Sequence, residues 1–266
     1  MSEVFNIKRF WNYFVTDTRN AWNNYGISLL LVAFMPLISF VLVELTSLVA
    51  NGSLTDFAMP FKVTLAWTCV IVVILSFPVK HYGHITDKRF GSDFVLLPVS
   101  VFEKTLSLIL VSCVVLPLFF VLVSGSVDLI LSTIPAYGDS LISGVFQLFD
   151  RTAQEFFYNG IEVSRIAAVL QILAMWTSSI LFFILGAIVF KRGKVAKTIL
   201  VSMALSFVVM LLMIAITNAF DMPSVLEKLF AVDDLRAFNV ILNICNFVGI
   251  AVPMVLIYFR LRTIKH

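Results

Sequence analysis

Apolar residues run through this chain in long blocks, without the short alternation of a soluble fold. Six stretches, about 27–49, 62–79, 105–131, 166–190, 198–220 and 237–259, are apolar over most of their length. A hydrocarbon core of ~30 Å takes about 20 such residues per helix. The pattern therefore predicts an all-α polytopic membrane protein with six transmembrane helices over 27–266.

Ahead of the first block the period changes. Over 3–25, Ile7, Phe10, Trp11, Phe14, Thr18, Ala21, Trp22 and Tyr25 recur at helical spacing on one face, with Asn6, Lys8, Arg9, Asn12, Arg19, Asn20 and Asn23 away from it. Such a segment, 1–26, is expected as an amphipathic helix lying in the headgroup region, its Trp residues anchored. It serves as a topological anchor, a partner-docking element, or both.

Composition agrees: 60% of the 266 residues are hydrophobic, 13% are charged, and the mean hydropathy is +1.01. Six spans leave no room for a soluble domain, and the first apolar run is too long for a cleaved leader. Cys69, Cys113 and Cys245 each fall inside an expected span, so no disulfide framework is implied. Asn51-Gly52-Ser53 fits a glycosylation acceptor but carries little weight.

Charge sets the expected orientation. With the N-terminus inside, the inner segments hold Lys8, Arg9, Arg19, Lys80, Lys88, Arg89, Lys104, Lys191, Arg192, Lys194, Lys197, Arg260, Arg262 and Lys265, 14 of the 19 Lys+Arg. The acids lean outward: Asp56, Asp128, Asp139, Asp150, Glu155, Glu162, Asp221, Glu227, Asp233 and Asp234. By the positive-inside rule both termini are cytoplasmic, which six spans satisfy. Nothing indicates a nucleic-acid surface.

One inner loop breaks the pattern. Residues 80–104 begin polar and then turn apolar at Phe94, Val95, Leu96, Leu97 and Val99. Ser100-Val101-Phe102-Glu103 reads as a capping box, so the third membrane helix begins at Ser100 or Val101, and Pro98 reinforces the boundary. The apolar residues before it are too few to span and are costly in water at ~25 cal/mol per Å². They are expected to fold back on the chain's own helix ends, to dip into the headgroups, or to form a short coupling helix offered to a cytoplasmic partner.

The run "LLPVSVFEKTL" resembles the segment between the second and third spans of ABC transporter permeases of the type-2 export family, as does the layout of an amphipathic N-terminal helix, six spans and a short outer helix before the last. The resemblance implies a membrane-spanning permease subunit whose coupling helix, Ser92, Asp93, Phe94, Val95, Leu96 and Leu97, contacts an ABC ATPase. It also implies a second permease copy or a homologue, since the path in that family runs between two halves. The expected place is the plasma (inner) membrane of a bacterium, multi-pass and in contact with membrane lipids.

The chain itself is not expected to be an enzyme. A phosphate-binding loop needs Gly-x-x-x-x-Gly-Lys-Ser/Thr, and "KRGKVAKT" lacks the upstream glycine and has Val195 after Lys194. No cofactor is expected in this chain, with ATP and magnesium placed in the partner ATPase. No span pairs a serine with a histidine, and His81, His84 and Asp87 sit at a solvated helix exit without a further metal ligand.

Other polar residues stand out. Residues 132–165 are the largest outer loop, and Pro223-Ser224-Val225-Leu226-Glu227 starts a short helix in the outer segment 221–236. Asn239, Asn243 and Asn246 share one face of the sixth span, and Ser202 and Ser206 one face of the fifth. They either line a translocation path or join helices, the latter favoured. Glu44, near the outer end of the first span, is expected to snorkel to water. Two rival functions remain: a non-transporting membrane assembly or scaffold protein, and an ion-coupled secondary transporter using Glu44.

Overall fold

The computed structural model describes residues 5–51, 59–86, 94, 96–140, 143, 165–219 and 235–264, and every regular element among them is helical. In chain order these are α1 (Ile7–Ala33), α2 (Met35–Asn51), α3 (Met59–Tyr82), α4 (Val101–Leu110), α5 (Leu116–Leu131), α6 (Arg165–Val189), α7 (Lys194–Ala219) and α8 (Leu235–Thr263). The described chain divides into two compact units, Met1–Phe77 with Pro98–Asp150, and Pro78–Leu97 with Arg151–His266.

All six apolar blocks fall on helices. Among the described residues, Thr64–Thr86, Val101–Leu131 and Cys245–Thr263 are long and apolar enough to cross a membrane, and α1 with α2 makes a fourth if that bent pair counts as one span. The beginning of the chain differs from expectation. The interfacial helix expected to end near residue 25 and the span expected from 27 are one uninterrupted helix to Ala33. The break comes later, at Phe34, where α1 and α2 bend by 43°. Its cause is Pro36, which has no N–H to continue the ladder and whose ring crowds the preceding turn. Gly26, near the expected boundary, is buried inside α1 instead.

A second proline reshapes the third block. Pro117 cannot donate to the carbonyl four residues back, and the turn before it, Val111–Val115, is widened to a π-helix that joins α4 to α5. α4, the π turn and α5 thus form one rod over Val101–Leu131, and α1 packs along it. Trp22 meets Phe119 edge-on at 5.5 Å. Further along, α2 packs on α5 through Phe40, Leu131 and Tyr137, with Phe40 and Tyr137 edge to face at 5.3 Å.

In the second unit, α6 carries the packing. It lies against α8, where the Ser178 hydroxyl donates to the Gly249 carbonyl at 3.1 Å, and it forms a tight hairpin with α7. The hairpin turns at Gly193, whose φ of +62° suits glycine alone. Lys194 begins α7 and reaches back to donate to the Gly83 carbonyl and, at 3.1 Å, to the Thr86 hydroxyl. The two helices touch at Gly186, where an added Cβ would stand 1.9 Å from Thr198 Oγ1 and 2.8 Å from Thr198 Cβ.

That approach makes Gly186→Ala destabilising by about 1–3 kcal/mol, the range for overpacking a close helix contact. Thermal unfolding of the detergent-purified protein, followed by circular dichroism, should show the loss. Combining the change with Thr198→Gly should return most of it; a Gly186→Ala protein as stable as the parent would refute the contact.

Candidate functional site

The site expected from the sequence centres on the start of α4. Ser100 is its N-cap, with extended backbone at φ −65° and ψ 154°; its hydroxyl accepts from the Glu103 N–H at 3.2 Å while the Glu103 carboxylate accepts from the Ser100 N–H at 2.9 Å. The capping box read from the sequence is present in full.

Glu103 does more than cap its own helix. Its side chain is 0% exposed, and it takes four hydrogen bonds. Oε1 accepts from the Asn6 backbone N–H at 2.8 Å and from Arg9 Nη2 at 2.8 Å; Oε2 accepts from Arg9 Nε at 2.8 Å and from Ser100. Asn6 is itself the N-cap of α1, its side chain accepting from the Lys8 and Arg9 N–H groups. One carboxylate therefore satisfies the free N–H of two N-cap residues, Asn6 and Ser100, far apart in sequence, and binds the α1 arginine through both of its oxygens.

Two further contacts extend the junction. Ser107, also buried, donates to Asp17 Oδ2 at 2.9 Å, and Phe5 packs edge-on against Phe102 at 5.9 Å. The amphipathic face is consequently split. Phe10 and Ala21 are buried, while Ile7, Trp11 and Trp22 remain exposed. Arg9, assigned by spacing to the polar face, turns inward with its side chain 29% exposed. Sequence reasoning missed this pairing, and only the charge of Arg9 within the first turn of α1 hinted at it.

Immediately before the capping box, Leu96 and Leu97 are 73% and 38% exposed. Phe94 is half-buried and Val99 is buried, so the apolar run is covered in part and exposed in part. Ser92, Asp93 and Val95 lie outside the described residues, as do most of 141–164, the segment 220–234, Asp87, and Gly52 and Ser53 of the tripeptide.

The remaining candidates are scattered. Asn239 and Asn243 lie on α8, but their side chains are outside the described residues; Asn246 is half-buried, with Nδ2 unpartnered. The Ser202 hydroxyl donates to the Ile199 carbonyl of its own helix at 2.7 Å, and Ser206 is exposed, so neither joins helices through a hydrogen bond to another element among the described residues. His81, expected at a solvated exit, is instead buried edge-on against Tyr82 at 4.5 Å. Among the described residues no group of three metal-ligating side chains forms.

Two acids correct the expected placement. Asp128, counted with the water-facing acids, is buried in α5 and accepts from the Tyr137 hydroxyl at 2.6 Å. Glu44 does not snorkel. It is 7% exposed; its Oε2 lies 3.5 Å from the Ser47 hydroxyl and its Oε1 has no partner. Its helix carries Phe40 on the same face, which is the face packed on α5.

No family model, curated protein or solved structure matches the chain.

The geometry makes an unequal prediction about the Arg9–Glu103 pair. Arg9→Ala leaves a sealed carboxylate short of its cation, whereas adding Glu103→Gln removes the buried charge. The double variant should therefore unfold at a higher temperature than Arg9→Ala alone. Equal losses that simply add, measured by thermal unfolding of the four proteins of a double-mutant cycle, would show that the two side chains do not interact.

Proposed function

We propose that this chain is the membrane-spanning permease subunit of an ATP-driven ABC exporter of type-2 layout, coupling ATP hydrolysis in a separate nucleotide-binding chain to substrate movement across the membrane. The observation that carries the reading is an exposed apolar pair, Leu96 and Leu97, followed within a few residues by a helix start tied to α1. Exposed leucines on a loop cost free energy unless something covers them. A partner ATPase is the cover that the resemblance of "LLPVSVFEKTL" supplies.

In this reading all six apolar blocks cross the membrane, both termini are cytoplasmic, and two permease halves, identical or homologous, enclose the path in the inner membrane of a bacterium. ATP and magnesium bind the partner chain. Motion of the partner enters at Leu96 and Leu97 and passes through Pro98 and Ser100 into α4. Because Glu103 holds both helix starts, displacing α4 draws the start of α1 with it. The loop thereby acts on two helices of the first unit and not on one. Export direction follows from the family layout.

A second reading, an ion-coupled secondary transporter, is favoured by one observation: Glu44 keeps a buried oxygen without a hydrogen-bond donor. Intramembrane acids of this kind commonly mark ion pathways. Transport that continues without ATP, collapses with the ion gradient and is abolished by Glu44→Gln would select this reading over the first.

The permease reading is tested by copurification. With the tagged chain extracted in mild detergent from its native host, an ATPase carrying a phosphate-binding loop should remain bound in near-equal amount. Leu96→Asp with Leu97→Asp should abolish that association while leaving helical content and elution volume intact. Association unchanged by the double substitution would end the docking claim.

A further inference from the structure

The described helices of the second unit carry cations and no acid to neutralise them. α6, α7 and α8 contain no aspartate or glutamate over 165–219 and 235–263. Lys191 and Arg192 project from the α6–α7 turn, Lys197 follows on the first turns of α7, and Arg260 and Arg262 stand in the last turn of α8. Among the described residues, none of these five side chains makes an ion pair or hydrogen bond. Lys194 differs, being held by the Gly83 carbonyl and Thr86. The acids of this unit, Asp87, Asp93 and those of 151–164 and 220–234, lie outside the described residues.

Helix geometry brings these cations to one end. Ser178 on α6 touches Gly249 on α8, and the buried rows of both helices continue C-terminally from that contact, through Ile180, Ile184 and Ile188 on one and Pro253, Ile257 and Leu261 on the other. With α6, α7 and α8 taken as successive membrane spans, α6 and α8 run in the same direction. From the contact, a rise of about 1.5 Å per residue carries α6 to Lys191 and α8 to Arg260 over nearly equal lengths. The α6–α7 turn and the end of α8 are therefore level.

Arg260 adds a sharper observation. Its side chain is half-buried, with no acceptor for Nε among the described residues, and the charge around it favours an anion.

We propose that the α6–α7 turn and the end of α8 form a binding site for the phosphate headgroup of an anionic phospholipid, with the cationic side chains of Lys191, Arg192, Lys197, Arg260 and Arg262 surrounding it. The neighbouring helices explain why the anion is a lipid's and not a free ion. Leu256 and Phe259, within a turn of Arg260, and Leu200, one turn beyond Lys197, are exposed, so the cations border apolar surface that acyl chains cover. Basic pockets between membrane helices are suited to such headgroups. The site is independent of what the chain transports and of any ATPase.

The test is native mass spectrometry of the full-length protein released from vesicles of phosphatidylcholine doped with phosphatidylglycerol. The parent should retain phosphatidylglycerol in preference to phosphatidylcholine. Lys191→Gln with Arg192→Gln, on an exposed turn where folding is not at stake, should weaken that retention about fivefold per charge removed. Arg260→Gln should weaken it by a similar factor, and Lys8→Gln in the first unit should leave it unchanged. Equal retention of both lipids, retention insensitive to all three basic substitutions, or displacement of the lipid by millimolar inorganic phosphate would overturn the proposal.

Discussion

A carboxylate removed from water and membrane alike has to be answered by donors, and Glu103 is answered four times. Removing an ion from solvent costs several kcal/mol before any compensation, so a fully buried glutamate is tolerated only where its partners are fixed. Here two donors are backbone N–H groups at helix starts, positions that would otherwise be left without acceptors. The other two come from one guanidinium in its planar fork geometry. Each of these groups would be costly if buried alone, and their mutual satisfaction fixes residues 6–9 against residues 100–103 in one geometry. The direction of α1 follows, and with it the side of α1 that faces the rod of α4 and α5.

The prolines then set where that rod and its neighbour bend. Pro36 displaces the first break from the expected boundary at residue 26 to Phe34, eight residues later. Pro117 widens a turn without stopping the helix. The difference lies in what surrounds each. At Phe34 the bend ends α1 and lets α2 turn onto α5, while the π turn before Pro117 keeps one rod continuous with α1 running alongside it.

Much of this was legible in the sequence, and the exceptions share a cause. Helix positions followed from apolar length, and the start of α4 followed to the residue from Ser100, Glu103 and Pro98, because capping is a local matter between neighbours. The continuity of α1 through Gly26 was not legible, since composition changes there while backbone geometry does not. Arg9, Asp128, Glu44 and His81 were all placed toward water by type, and each is partly or wholly turned into the fold. The partner of Arg9 lies 94 residues away. Periodicity reports which face a residue occupies; it does not report which distant donor will meet it there. The close approach of Gly186 to Thr198 escaped for the same reason, as neither residue is unusual until the hairpin brings them together.

The three buried acids of the first unit differ in how completely they are satisfied, and that ordering separates structural roles from others. Glu103 has four donors and no vacancy. Asp128 has the Tyr137 hydroxyl, which fixes the short turn at 135–137 against the end of α5 and completes the cluster around Phe40. Glu44 has one long contact to Ser47 and an oxygen facing no donor. A group placed for stability alone gains nothing from an empty valence, whereas a group that must exchange one partner for another requires it. By that ordering Glu103 is a fixed joint, and Glu44, only one turn along α2 from Phe40, is the least satisfied of the three.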